Sequence, residues 1–134
     1  MKHAVMVSVL ILGTTLGLLL RTHHASASSP MRVSATLKDY QVILSTHHLP
    51  VGKPITFVIT NRGHHNHEFV LESANAFDRA IQFGGKTYEA DEIKPGATRT
   101  VTWTIPRTGS YKFACHIDHH YQKGMRTYVT AGNT

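Results

Sequence analysis

Cysteine occurs once in the 134 residues, so no internal disulfide supports the fold. Charged residues are also sparse at 16%. The fourteen Lys and Arg exceed the eight Asp and Glu but are scattered along the chain, which argues against a nucleic-acid footprint. Aromatics are few at 8%, yet hydrophobic residues reach 41%, too many for a disordered chain. Beyond residues 4–20 there is no long apolar run, which excludes a multi-span membrane protein. The chain carries no Ser-His-Asp order, paired-carboxylate motif, phosphate loop or nucleotide fingerprint, so the common hydrolases, kinases and dehydrogenases are disfavoured. What is plentiful is histidine, with eleven.

Residues 1–27 read as a signal peptide. Met1-Lys2-His3 is a short basic start, residues 4–20 are apolar, and Ala25-Ser26-Ala27 supplies small residues at cleavage spacing. Cleavage after Ala27 leaves residues 28–134 as one domain in an oxidising, periplasmic or otherwise extracytoplasmic compartment. The alternative is an uncleaved anchor, but Gly13, Thr14, Thr15 and Gly17 weaken a run already near the lower length limit for a span. Without its two basic residues the mature part keeps twelve basic against eight acidic side chains. A lone thiol in such a compartment requires a chemical reason.

Past Pro30 the sequence alternates with period two and turns at short intervals, the pattern of an all-β sandwich. Strands are expected over residues 32–37, 40–45, 53–60, 67–73, 98–105, 110–115 and 125–130. Residues 73–83 place Ala76, Phe77, Ala80 and Ile81 at helical spacing between Ser73 and Gly84-Gly85, which predicts one short helix. Antiparallel connections then bring the loops 61–66 and 116–124 to one end of the sandwich. His67 and Cys115, both on inward faces, are expected to meet there. His47 and His48 fall at the opposite end.

Cys115, His120 and Met125 are spaced C-x4-H-x4-M, and His67 begins an earlier strand leading to the same place. A thiolate and two imidazoles, with a thioether at longer range, form the ligand set of a blue-copper electron-transfer centre. Soft sulfur stabilises Cu(I), imidazole accepts either oxidation state, and a rigid β scaffold keeps the rearrangement between states small. Alone, Cys115 would ordinarily be a small buried hydrophobe and Met125 a core residue. Unrelated core residues have no cause to reproduce this order and spacing. His119 is the reserve for the second imidazole.

With these residues in place, the chain resembles the cupredoxins, and within them the plastocyanin, azurin and auracyanin-like group. The resemblance runs in order through His67-Glu68-Phe69-Val70-Leu71, Lys94-Pro95-Gly96, Gly109-Ser110-Tyr111-Lys112-Phe113-Ala114-Cys115 and Gly124-Met125, covering most of residues 30–131. It implies a Greek-key β-sandwich with one type 1 copper held by His67, Cys115, His120 and Met125. The sequence departs from many cupredoxins in two places: Asp118-His119 stands where Pro-Gly commonly precedes the second histidine, and Glu68 stands where Asn or Ser commonly clamps the thiolate loop.

The functional expectation is a one-electron carrier rather than an enzyme, since four protein ligands leave no open metal position for a substrate. His120, on an exposed loop, would conduct the electron to transiently docked redox proteins such as cytochromes or a terminal oxidase. A monomer is expected, with no nucleic acid, and with membrane association only if the leader is retained. The rival is an extracytoplasmic copper-binding or copper-resistance protein that adds His64, His65, His116 and His119 as a second, exposed metal site. Against that second site, most surface histidines bind nothing specific.

Overall fold

The structure, a computed structural model, describes residues 29–133. The leader expected over residues 1–27 lies outside them. Two β-sheets enclose the core. The first has strand order β2-β1-β4-β9, built from β1 (Met31–Lys38), β2 (Gln41–Leu44), β4 (Pro54–Asn61) and β9 (Thr98–Thr104). The second has the order β3-β11-β10-β5-β8, built from β3 (His48–Pro50), β5 (His67–Ser73), β8 (Glu89–Ile93), β10 (Gly109–Ala114) and β11 (Arg126–Gly132). A small separate hairpin pairs β6 (Gln82–Phe83) with β7 (Lys86–Thr87). The chain passes from the first sheet to the second between β2 and β3, returns between β3 and β4, crosses between β4 and β5, returns between β8 and β9, and crosses again between β9 and β10.

Period-two alternation decides which side chains enter the core. In β4, Ile55, Phe57 and Ile59 are fully buried while Thr56, Val58 and Thr60 stay partly exposed. On the outer face, Thr56 faces Thr102 at 3.2 Å and Thr60 faces Thr98 at 3.0 Å, so cross-strand hydroxyl pairs reinforce the register. Inside, Phe69 and Phe113 stack with centroids 4.3 Å apart, and Phe57 packs against both and against Trp103. Tyr88 lies flat on Trp103 at 5.2 Å and satisfies its hydroxyl by donating to the Thr104 carbonyl at 2.9 Å. Burying each such side chain contributes about 1.5–3 kcal/mol. This rigid block supports the loops above it.

The all-β reading holds, but residues 73–83 form no helix. The buried pair Glu72 and Lys112 prevents it by taking over the backbone groups of this segment. Glu72 Oε1 accepts the Arg79 N–H at 2.8 Å, and Lys112 Nζ donates to the carbonyls of Ala74 and Ala76. Asp78 takes φ 50°, outside the helical region, and Ala80 forms a bridge to Glu72. The apolar spacing of Ala76, Phe77, Ala80 and Ile81 therefore has no helical meaning here, and Phe77 is solvent-exposed. Strand β3, only three residues long, strand β8, with three carboxylates among its five residues, and the short β6–β7 hairpin are also absent from the sequence expectation.

Candidate metal centre

Three pieces of local structure converge at one end of the sandwich. His67 opens β5, where a register irregularity against β8 and a left-handed Glu92 (φ 45°) splay the edge. The loop before it is tied down by Asn61, which is fully buried. Its amide donates to the carbonyls of Ile93 and His65 at 2.7 and 2.8 Å, and its oxygen accepts the Gly63 N–H at 2.8 Å. Cys115 follows β10 and Met125 precedes β11, and the Cys115 N–H donates to the Met125 carbonyl at 3.1 Å, closing the base of the loop between them. Within that loop residues Ile117–His119 form a single 3₁₀ turn, with Asp118 and His119 both at positive φ. His120 caps it by donating to the Ile117 carbonyl at 2.8 Å, and its own carbonyl accepts the Met125 N–H at 3.0 Å.

The result is a triangle of donor atoms. His67 Nδ1 and His120 Nδ1 are 3.2 Å apart, Cys115 Sγ lies 3.4 Å from His120 Nδ1, and it lies 3.9 Å from His67 Nδ1. The point equidistant from the three is about 2 Å from each, the length of a transition-metal–imidazole bond and slightly short of a metal–thiolate bond, ~2.3 Å. All three residues are buried, as is Met125 at the base of the same loop. Among the described residues these are the histidines and the cysteine whose donor atoms gather as a buried metal-binding group; His119 is exposed and outside it.

The electrostatics suit a metal more than a free thiol and two free imidazoles. Burial pushes the Cys115 thiol up to about 11, even though the Glu68 N–H approaches its sulfur at 3.5 Å. Both histidines are held below the ordinary imidazole range, first by burial, then for His67 by the neighbouring His120 and for His120 by Lys123. The imidazoles are therefore neutral donors at neutral pH, whereas the sulfur keeps its proton until a cation displaces it. One soft sulfur and two imidazoles, with a buried methionine alongside, fit copper.

One expectation is corrected here: His120 is 2% exposed and does not itself lie at the surface. Tyr40 covers it edge-on at 5.4 Å and His65 packs beside it at 5.8 Å, with Lys123 over the Tyr40 ring. Glu68, which stands where Asn or Ser is common, itself holds the thiolate loop: its carboxylate accepts the His116 N–H directly after Cys115.

The remaining histidines disperse. His64 binds Asp39, His116 Nε2 donates to Glu72 Oε1 at 3.0 Å while its ring stacks on Tyr121, and His119 stays in solvent. His64, His65, His116 and His119 are not brought together. A second group of possible metal-binding side chains does include His116, with Glu72 and Asp78, but the Lys112 ammonium lies 3.4 Å from the Glu72 carboxylate and already neutralises it. Asp39 and Tyr40 were missed because a two-residue hairpin turn carries no signal for what lies above it.

Fold and site together define a metal-binding β-sandwich whose donors are chosen for copper. A family model for the cupredoxin-like domain matches residues 8–127, and the chain belongs to that family. It is 31% identical over 81 residues to the copper-resistant cuproprotein CopI of Rubrivivax gelatinosus, covering 55% of this chain and 49% of that one. It is 30% identical over 78 residues to CopI of Vibrio cholerae serotype O1, covering 53% and 46%. The chain thus spans about half the length of these curated relatives. Among solved structures, dithionite-reduced auracyanin from Roseiflexus castenholzii superposes with a TM-score of 0.58 at 18% identity, over 78% of this chain and 98% of that one. That likeness concerns the fold.

Proposed function

We propose that the chain is a type 1 copper protein that carries single electrons outside the cytoplasm, in which His67, Cys115 and His120 would hold the metal as strong ligands and Met125 as a weak fourth. The observation that carries this reading is the buried triangle of two Nδ1 atoms and one Sγ. Bound copper supplies a one-electron couple between Cu(I) and Cu(II). The chain does the rest. Cys115 Sγ gives up its proton on loading, the two neutral imidazoles donate without a proton change, and Glu68 and the Met125 carbonyl fix the residues on either side of the sulfur. With four donors from the chain, no position is left for a substrate, so no turnover is proposed.

Residues 1–27 are read as a leader that directs residues 28–134 across a membrane and is then removed. Among the described residues no helix is long and apolar enough to cross one. Redox proteins such as cytochromes or a terminal oxidase would dock transiently on a monomer, through the Tyr40, His65 and Lys123 surface that covers His120 rather than on His120 itself.

A second reading, copper handling or resistance, draws on the similarity to the CopI proteins and on that same cover, which lengthens the path from His120 to a partner. Voltammetry with copper titration separates the two. A reversible one-electron wave with one equivalent bound supports the carrier; two or more equivalents, or a site that releases the ion on reduction, supports handling and overturns the carrier.

A further inference from the structure

The two ring nitrogens of His67 have different surroundings. Nδ1 faces His120 and Cys115, while Nε2 points away from them and is buried without a hydrogen bond. Asp39 Oδ1 lies 3.4 Å from Nε2. A neutral imidazole that gives its Nδ1 lone pair to a metal must carry its proton on Nε2. That proton then faces a carboxylate slightly beyond normal hydrogen-bond length, about 2.7–3.2 Å.

The carboxylate is held in position from the other side. Asp39 Oδ1 accepts the His64 N–H at 2.8 Å, and Oδ2 lies 2.7 Å from His64 Nδ1. The contact from His64 keeps the Asp39 carboxyl well below the usual carboxylate range. Gly63 gives independent evidence that this approach is built in. A Cβ at position 63 would lie 2.5 Å from Asp39 Oδ1 and 2.8 Å from His67 Nε2, so any side chain there would wedge the two apart.

We propose that Asp39 is the positioning residue of the metal centre, a carboxylate that accepts the His67 Nε2–H, fixes the ring with Nδ1 toward the metal, and makes that nitrogen a stronger donor. The inference rests on the copper reading above and adds a specific tuner to it. A more electron-rich imidazole favours Cu(II) over Cu(I), so Asp39 lowers the reduction potential. Partners of this kind govern metal affinity by about 10–100-fold.

The test compares copper-loaded wild type with Asp39→Asn, Asp39→Ala and Gly63→Ala. Asp39→Ala is expected to lose about 10–100-fold in Cu(II) affinity and less in Cu(I) affinity. The potential therefore rises, by about 59 mV per tenfold difference between the two states. Asp39→Asn, which keeps an acceptor but no charge, shifts it in the same direction by less. Gly63→Ala reproduces the rise with Asp39 intact. All three keep the visible thiolate band, which a misfolded site would lose. Should a variant fold poorly, the Cu(I)-loaded wild type is read by ¹H–¹⁵N correlation, where a His67 Nε2 proton shifted downfield and protected from exchange is expected. Unchanged potentials and affinities in a wild type and variants that all show the band, or an unprotected Nε2 proton in that wild type, would overturn the role of Asp39. A wild type without any thiolate band would instead overturn the copper reading.

Discussion

The two ends of the sandwich both carry paired histidines, and the pairs have opposite fates. At one end His47 Nδ1 lies 2.9 Å from the Tyr128 carbonyl and His48 Nδ1 lies 2.8 Å from Thr130 Oγ1, with both rings in solvent. At the other end His67 and His120 are buried and turn their Nδ1 atoms toward each other and toward a thiol. The far-end rings spend their Nδ1 atoms on local hydrogen bonds, whereas the near-end Nδ1 atoms meet only each other and a thiol. Two neutral imidazole nitrogens and one thiol serve each other poorly as partners, so the near end is arranged for a cation that all three can bind. Histidine count does not distinguish the ends. The company of Cys115 and the burial of the rings do.

The largest effect expected from this contrast is on copper affinity. His67→Ala and His120→Ala should each weaken binding by more than the ~10–100-fold typical of losing an outer partner, while His47→Ala leaves it unchanged, as read by competition titration. Equal losses at all three positions would erase the distinction between the ends.

Next in size is the buried support beneath the metal end. Lys112 Nζ lies 3.4 Å from Glu72 Oε2, and neither side chain is more than 2% exposed. Lys112→Met strands the Glu72 carboxylate and should lower unfolding stability by about 3–5 kcal/mol. His48→Ala at the far end should stay within about 0.5 kcal/mol. Denaturant melts of the two variants compare the ends directly, and a Lys112→Met cost near zero would show that the pair supports nothing.

A smaller effect concerns tuning. Met125→Gln replaces a soft thioether with a harder amide oxygen, so the potential should fall while the protein stays coloured and folded. Were Met125 only a packing residue, voltammetry would show the potential unchanged and the melt would show lost stability from the buried amide.

The smallest effect lies at the acidic edge beside the site. Burial, and then Asp91, push the Glu89 carboxyl up to about 7. Because the folded-state value is raised, the stabilising protonated form is fully present below the ordinary carboxylate value and is lost as pH rises through 7. Glu89→Gln should match wild type at pH 4 and melt higher at pH 8; identical curves at both pH values would remove this effect.

The strands that alternate cleanly, such as β1 and β4, were legible within a residue or two because burial on one face leaves a period of two. The meeting of His67, Cys115 and His120 was legible as well, since alternation put His67 and Cys115 on inward faces at one end and a short loop keeps His120 close to Cys115. The supports were not. The Glu72–Lys112 pair cancelled an apparent helix through side-chain bonds to distant backbone. Asp39 reaches His67 across the sandwich from a turn, and Tyr40 covers His120 from the same turn. Each depends on a tertiary approach that neither period nor spacing records.

The central claim is that Cys115 and the two near-end imidazoles form one copper site, and the absorption spectrum of the copper-loaded protein tests it most directly. The account predicts an intense visible thiolate-to-copper band that saturates at one equivalent in wild type and is abolished in Cys115→Ser. A wild type without the band, or a Cys115→Ser variant that keeps it, would contradict the account.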